Sequence, residues 1–356
     1  MAQPRGSRKT LIIAVAVVAL VLLLPGASLV YNAGGGESCT RCHEIQPAWE
    51  RWTNSAHREV PCQDCHGGTL TTDLRFHTSN LRRLIHHLRG DVPAQVRLVD
   101  AADIERITAK CRGCHRREYA DWMAGPHSAT YADIFLDKEH NTKRLLMDDC
   151  FRCHGMHFPG SIEELVEPVA TQGPWRLKRP ELAGKPVIPC ITCHEVHRRG
   201  EPRQSRDGED RAAEQPEQLM PSSLALFDRR TQVYLGAAAM PVPLMKEGER
   251  AVKVSPDPRQ SLCYQCHAAR ASAQVGTGDD RTPRGVHEGI GCLACHAGHA
   301  METRASCANC HPRFSNCGMD NEKLNSLMRD PRNRFDIHTV KCADCHPKGV
   351  PPRRYR

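Results

Sequence analysis

Aromatic residues make up only 5% of this 356-residue chain, and beyond Tyr31 no long periodic apolar run occurs. With so few large apolar side chains, and with 26 Gly and 25 Pro, the polypeptide cannot by itself bury enough surface to offset its ordering entropy. Its core must be supplied from elsewhere. Common catalytic signatures are also missing. No phosphate-binding Gly-rich loop, Ser/His/Asp arrangement or carboxylate pair stands out, which removes the usual nucleotide-dependent and hydrolytic chemistries. Lys and Arg outnumber Asp and Glu by 49 to 41, a formal charge of +8. No basic tract is interleaved with aromatics, however, so no nucleic-acid partner is expected.

What the chain has in abundance is Cys-x-x-Cys-His, which occurs nine times. The motifs comprise Cys39, Cys42 and His43; Cys62, Cys65 and His66; Cys111, Cys114 and His115; Cys150, Cys153 and His154; and Cys190, Cys193 and His194. After a gap come Cys263, Cys266 and His267; Cys292, Cys295 and His296; Cys307, Cys310 and His311; and Cys342, Cys345 and His346. This is the attachment signature of c-type haem, in which two thiols add to the porphyrin vinyl groups and the adjacent His gives one axial nitrogen. Zinc knuckles or a disulfide framework would not place His after every second Cys. The motifs consume 18 of 19 cysteines, leaving Cys317, for which an inert buried thiol is expected.

Nine covalent haem c groups resolve the missing core. The expected fold is mostly irregular, with short α-helices wrapped around haems, little β-structure and one N-terminal apolar helix. Without haem attachment the chain should not fold. The haems also absorb the charge, because a bis-His ferric haem carries about −1, taking +8 to about −1 overall.

Twenty histidines are present, and eleven lie outside the motifs. Nine distal ligands would make every iron six-coordinate, so the surplus is only two. The distal candidates are His57, His77, His87, His127, His140, His157, His197, His287, His299 and His338, with His86 as the spare beside His87. His157, His197 and His299 each follow a motif His by three residues, too close to reach the far face of the same ring, so each is expected to serve a neighbouring haem. Bis-His iron suits electron transfer because a saturated metal rearranges little and binds no substrate. Met156 is nearest a motif among the methionines and is read as packing. No motif ends in Lys, so an enzymatic role would need one iron to lack a sixth protein ligand.

Residues 1–31 read as a membrane anchor or signal segment. Arg5, Arg8 and Lys9 precede the unbroken apolar run from Leu11 to Leu24, and Leu11–Val30 is just long enough to span a bilayer. A retained anchor is favoured, giving an inner-membrane protein facing the periplasm. Signal cleavage and a soluble periplasmic protein are the alternative. Beyond it, residues 32–197 form a five-haem module and 263–356 a four-haem module. The interval 198–262 is haem-free: its first part is charged linker, and a β-hairpin is expected near 223–245 around Asp228-Arg229-Arg230. Helical patches are expected at 44–57, 73–90, 101–124 and 161–168.

The apolar N-terminus, Gly34-Gly35-Gly36 and CTRCHEIQPAWERWTNSAH followed by CQDCH resemble the NapC/NirT family of membrane-anchored quinol dehydrogenases. The resemblance covers the first 70 residues and implies electrons taken from membrane quinol and passed to periplasmic reductases. The family often has Met two residues after the first motif His, whereas this chain has Ile45, which cannot ligate iron. Haem 1 must then use another distal group or stay five-coordinate. Residues 111–346, with WMAGPH, CFRCHGMH, CITCHEVH and GVHEGIGCLACHAGH, are similar to the broader multihaem cytochrome c superfamily. The expected partners are quinol or a quinol-oxidising membrane complex on one side, and other cytochromes or a terminal reductase on the other. A multihaem reductase of a small nitrogen or sulfur oxyanion is the competing reading.

Overall fold

Two thiols three residues apart share one face of a single helical turn, and this need shapes the local structure of nearly every attachment site. The computed structural model describes residues 10–19, 34, 36–67, 82–91, 101–200, 223–267, 287–296, 298–299, 306–314, 320–322 and 346–349. Helices α1 (Gln46–Thr53), α2 (Cys62–His66), α3 (Ala101–Cys114), α4 (Arg116–Met123), α5 (Tyr131–Phe135), α6 (Lys138–Asn141), α7 (Ile162–Leu165), α8 (Pro258–Cys263), α9 (Cys292–Cys295) and α10 (Ser306–Cys310) are mostly one or two turns long. Motif residues sit in α2, at the ends of α3 and α8, and in α9 and α10; three more motifs use 3-10 turns at Glu37–Arg41, Asp148–Arg152 and Cys190–Thr192.

Among the described residues the strands form three two-stranded antiparallel sheets: β1 (Val166–Glu167) with β2 (Arg176–Leu177), β3 (Ala225–Asp228) with β4 (Val233–Gly236), and β5 (Met245–Glu247) with β6 (Arg250–Val252). The middle sheet is the expected hairpin. Its turn is built on Asp228, whose carboxylate accepts from the Arg230 backbone N–H at 3.0 Å and the Thr231 hydroxyl at 2.5 Å.

Other boundaries differ in instructive ways. The expected helix at 101–124 breaks at His115, which leaves helical backbone conformation, so that a motif imidazole stands between α3 and α4. The patch at 161–168 is helical only over Ile162–Leu165. Val166 and Glu167 turn extended because Pro168 follows and disfavours helix in the residue before it. In the 73–90 patch, residues 82–88 are helical and 73–81 lie outside the described residues.

Residues 10–19 are helical and exposed, and the rest of the expected apolar segment, 20–31, lies outside the described residues. Among the described residues no helix is long and apolar enough to cross a membrane.

An apolar cluster does exist, confined to residues 131–187: Tyr131, Phe135, Leu146, Phe151, Phe158, Ile162, Leu165, Val166, Leu182 and Val187. Phe135 and Phe151 have ring centroids 5.6 Å apart, and Phe151 and Phe158 are 5.2 Å apart. A capping box starts α5, with Thr130 and Asp133 each accepting from the other's backbone N–H. Gly155, at φ +78, lets the chain pass Tyr131 where a Cβ would collide with its ring.

Candidate haem-attachment sites

Outside the regular helix of the second motif, the His backbone N–H donates to the carbonyl of the first Cys at His115, His154, His194, His267, His296 and His311, at 2.7 to 3.1 Å. This single bond closes the turn that sets two thiols and one imidazole on a common surface, as covalent attachment of a flat macrocycle requires.

The motif imidazoles do not stand alone. His66 faces His197 with ring centroids 6.1 Å apart, and His115 faces His57 at 6.1 Å. His194 faces His299 at 6.0 Å, His267 faces His127 at 6.0 Å, His311 faces His287 at 5.9 Å, and His43 faces His87 at 5.4 Å. Two metal–imidazole bonds of about 2 Å, plus about 1 Å from each nitrogen to its ring centre, place two axial rings about 6 Å apart. Five of these separations match that requirement, so the residues present fit haem iron held between two imidazoles; the His43–His87 pair is closer, at 5.4 Å. In each pair one ring belongs to a motif and the other comes from elsewhere in the sequence.

Burial favours the neutral form of six of these rings, the state in which a nitrogen lone pair can ligate. It pushes His194 and His197 down to about 4, and it is the leading cause of the lowered pKa of His57, His127, His287 and His299. The Nδ1 atoms of His57, His154 and His287 are buried and meet no protein partner.

Local chemistry sets each distal ring. The buried Ser55 hydroxyl accepts from the His57 backbone N–H at 3.1 Å, which explains the Ser-x-His pattern. Residues 54–55 are tied to 199–200, just past His197, by a backbone bond of 2.8 Å and a β-bridge. His127 is held in a short turn where the Ser128 hydroxyl donates to the carbonyls of Gly125 and Met123. The β3–β4 hairpin clamps the fifth motif: Ala225 N–H donates to Cys193 O at 3.0 Å and Tyr234 hydroxyl to Ile191 O at 2.7 Å. Ser223 Oγ lies 3.2 Å from His194 Nδ1, where it orients a ligating ring. Ser223 and Gln260, which accepts from Cys292 N–H at 2.8 Å, carry no sequence signal for these tasks.

At the first motif, Glu44 is buried between two rings. Its Oε1 lies 2.6 Å from His87 Nδ1 and 3.3 Å from His43 Nε2, and the three side chains together could hold a metal ion. Backbone hydrogen bonding and then the His87 bond hold the Glu44 carboxyl below its usual range. His87 thus brings a potential ligand beside His43, which Ile45 does not.

The sites are contiguous in space. Gly36, at φ +108, packs on the Cys62 sulfur with no room for a Cβ, joining motifs 1 and 2. Arg106 of α3 donates to His66 O at 2.9 Å, joining motifs 2 and 3. The cysteines of different motifs lie side by side: Cys111 beside Cys190, Cys153 beside Cys266, and Cys263 beside Cys292. Cys295 lies within electrostatic reach of Cys307 and Cys310. The spatial order is therefore not the sequence order: motif 3 abuts motif 5, and motif 4 abuts motif 6.

His140 lies close enough to His154 for their charges to interact, a cause second to burial in lowering His154. His86 sits 3.5 Å from Asp91. His157 is stacked on Phe227, and among the described residues it is in ring contact with no motif imidazole. His77, Cys317, His338, Cys342 and Cys345 lie outside the described residues.

Two family profiles match. Residues 35–205, just under half of the chain, match the outer membrane cytochrome MtrC/MtrF-like family, domains II/IV. Residues 238–297 match the cytochrome c554 and c-prime family. No curated protein and no solved structure gives a significant match. Motifs 1 to 5 fall in the first matched stretch, and motifs 6 and 7 in the second. Together with the paired imidazoles, these matches support the class: a multihaem c-type cytochrome, with covalent haem c as cofactor and electron transfer as function.

Proposed function

We propose that the protein is a nine-haem c-type cytochrome that relays electrons outside the cytoplasm. It takes them from membrane quinol or a quinol-oxidising complex and passes them to a terminal reductase or an outer cytochrome. Six motif imidazoles, each facing a second imidazole near 6 Å, carry this reading, because they leave iron saturated. Each haem supplies a one-electron ferric–ferrous couple when bound.

The chain's own residues do the rest. The cysteines fix nine macrocycles covalently, and the distal histidines lock each one to a second part of the chain. His140 completes the fourth site, while His77 and His338 complete two of the remaining sites. The five-haem stretch, 32–197, and the four-haem stretch, 263–356, are interlocked because His127 serves His267 and His299 serves His194. The contiguity of the motifs supports conduction along the set.

An extracytoplasmic position follows from the chemistry of attachment, and the outer membrane cytochrome profile supports it. The quinol donor rests on the resemblance of the first 70 residues to NapC/NirT proteins, with residues 1–31 as the anchor. An oxyanion reductase would instead need an open iron.

Purified full-length protein tests the proposal in two steps. A pyridine haemochromogen assay should count nine haems per chain; fewer would contradict the reading. Reduction by a menaquinol or ubiquinol analogue should then fill the haems. Failure with every analogue would overturn the quinol donor while leaving the relay intact.

A further inference from the structure

Eleven histidines compete for nine distal positions, so two must do something else. His86 is one, beside Asp91. The other is His157. It is 8% exposed, and neither Nδ1 nor Nε2 meets a protein partner. Its ring lies flat on Phe227, with centroids 4.4 Å apart and planes 20° from parallel. All nine motif imidazoles are among the described residues, and none makes ring contact with His157. Burial, with no neighbouring charge, accounts for its pKa of about 4.

The backbone gives the ring no freedom to leave. Gly155 N–H donates to Val187 O at 3.0 Å, and Phe158 N–H to Gly155 O at 2.8 Å. From the other side Arg229 donates to Phe158 O at 3.2 Å and to Gly160 O at 2.5 Å. A buried imidazole without a partner costs about 1–3 kcal/mol per unmet group, whereas a phenyl ring would fill the same space at no such cost. The N–H must therefore meet an acceptor that arrives with the cofactor. His157 lies three residues past His154 and against the hairpin that clamps Cys190–Cys193, so two attachment sites border it. The anionic acceptors a haem brings are its propionate carboxylates.

We propose that His157 is a propionate-binding residue, a neutral imidazole donating one N–H to a carboxylate of the haem at Cys150–Cys153 or its neighbour at Cys190–Cys193. This rests on the haem reading of the motifs and adds a residue that places and tunes a bound haem without ligating iron. By drawing charge from the propionate, the N–H makes the adjacent iron easier to reduce.

The test uses the full-length holoprotein with His157→Phe and His157→Gln. Both should keep nine haems and a wholly low-spin electron paramagnetic resonance spectrum at the sites concerned. In a redox titration His157→Phe should make one haem about threefold to tenfold harder to reduce, at most about 59 mV lower for one electron. His157→Gln should recover part of the shift because its amide can donate. A new high-spin signal would overturn the proposal by showing that His157 ligates iron. An unchanged titration would overturn it by showing packing alone. If His157→Phe fails to mature, His157→Gln against His157→Leu gives the same contrast. Absence of haem in the unsubstituted protein would fail the reading of the motifs instead, which the haem count reports separately.

Discussion

Residues 131–187 and the stretches that flank them are built on different principles. The former hold a cluster of aromatic and aliphatic side chains, with Phe135, Phe151 and Leu165 fully buried, around which α5, α7 and the first sheet close. Among the described residues of the flanking stretches, 36–67 and 287–311, almost no large apolar side chain is buried. They carry instead paired imidazoles and thiols on one-turn helices. One region is held by protein contacts, and the other presents haem-attachment motifs in place of a core. Stability and function are thereby separated along one chain: the packed region anchors motif 4, and the sites on either side depend on the haems they hold.

The largest way to break this comparison is to block haem attachment. Chain made without cytochrome c maturation should lose the helical circular dichroism of the motif stretches, and limited proteolysis should leave protection only around 131–187. A native-like spectrum with uniform protease resistance would erase the difference between the regions. Next in size, Phe151→Ala should destabilise the packed region by about 3–5 kcal/mol, as large-to-small core substitutions do, read by denaturant unfolding at unchanged haem content. The same experiment on Thr130→Ala, which removes the α5 cap, should cost about 1 kcal/mol. Smallest, Ser55→Ala removes one hydroxyl acceptor of a backbone N–H and should cost about 1 kcal/mol or less. Its sharper readout is the low-spin signal of the site holding His115, which should broaden as His57 loses its fixed orientation; an unaltered signal would show that the bond to His57 does not position that ring.

The attachment motifs, the hairpin around Asp228 and the shortness of the helices were legible because each rests on residues adjacent in sequence. The pairing of imidazoles was not. His57 precedes the second motif yet faces His115 of the third, and His287 precedes the seventh yet faces His311 of the eighth. Spacing indicates only that a histidine three residues past a motif cannot reach the far face of that motif's own ring; His197 and His299 face His66 and His194. It does not tell which haem, and it gave no reason to separate His157 from them. The aromatic cluster was hidden by averaging, since 5% over the chain conceals three of seven Phe packed together. Glu44 was visible as the residue after the first motif, but its placement against His87, 43 residues away, belongs to the fold alone.

If distal imidazoles from one part of the chain ligate iron held by another, His299 is the decisive residue, because it reaches across the haem-free interval to His194. Electron paramagnetic resonance of the His299→Ala holoprotein should show one of nine haems converted from low-spin to high-spin, with the other sites unaltered. A spectrum identical to that of the unsubstituted protein would contradict the claim.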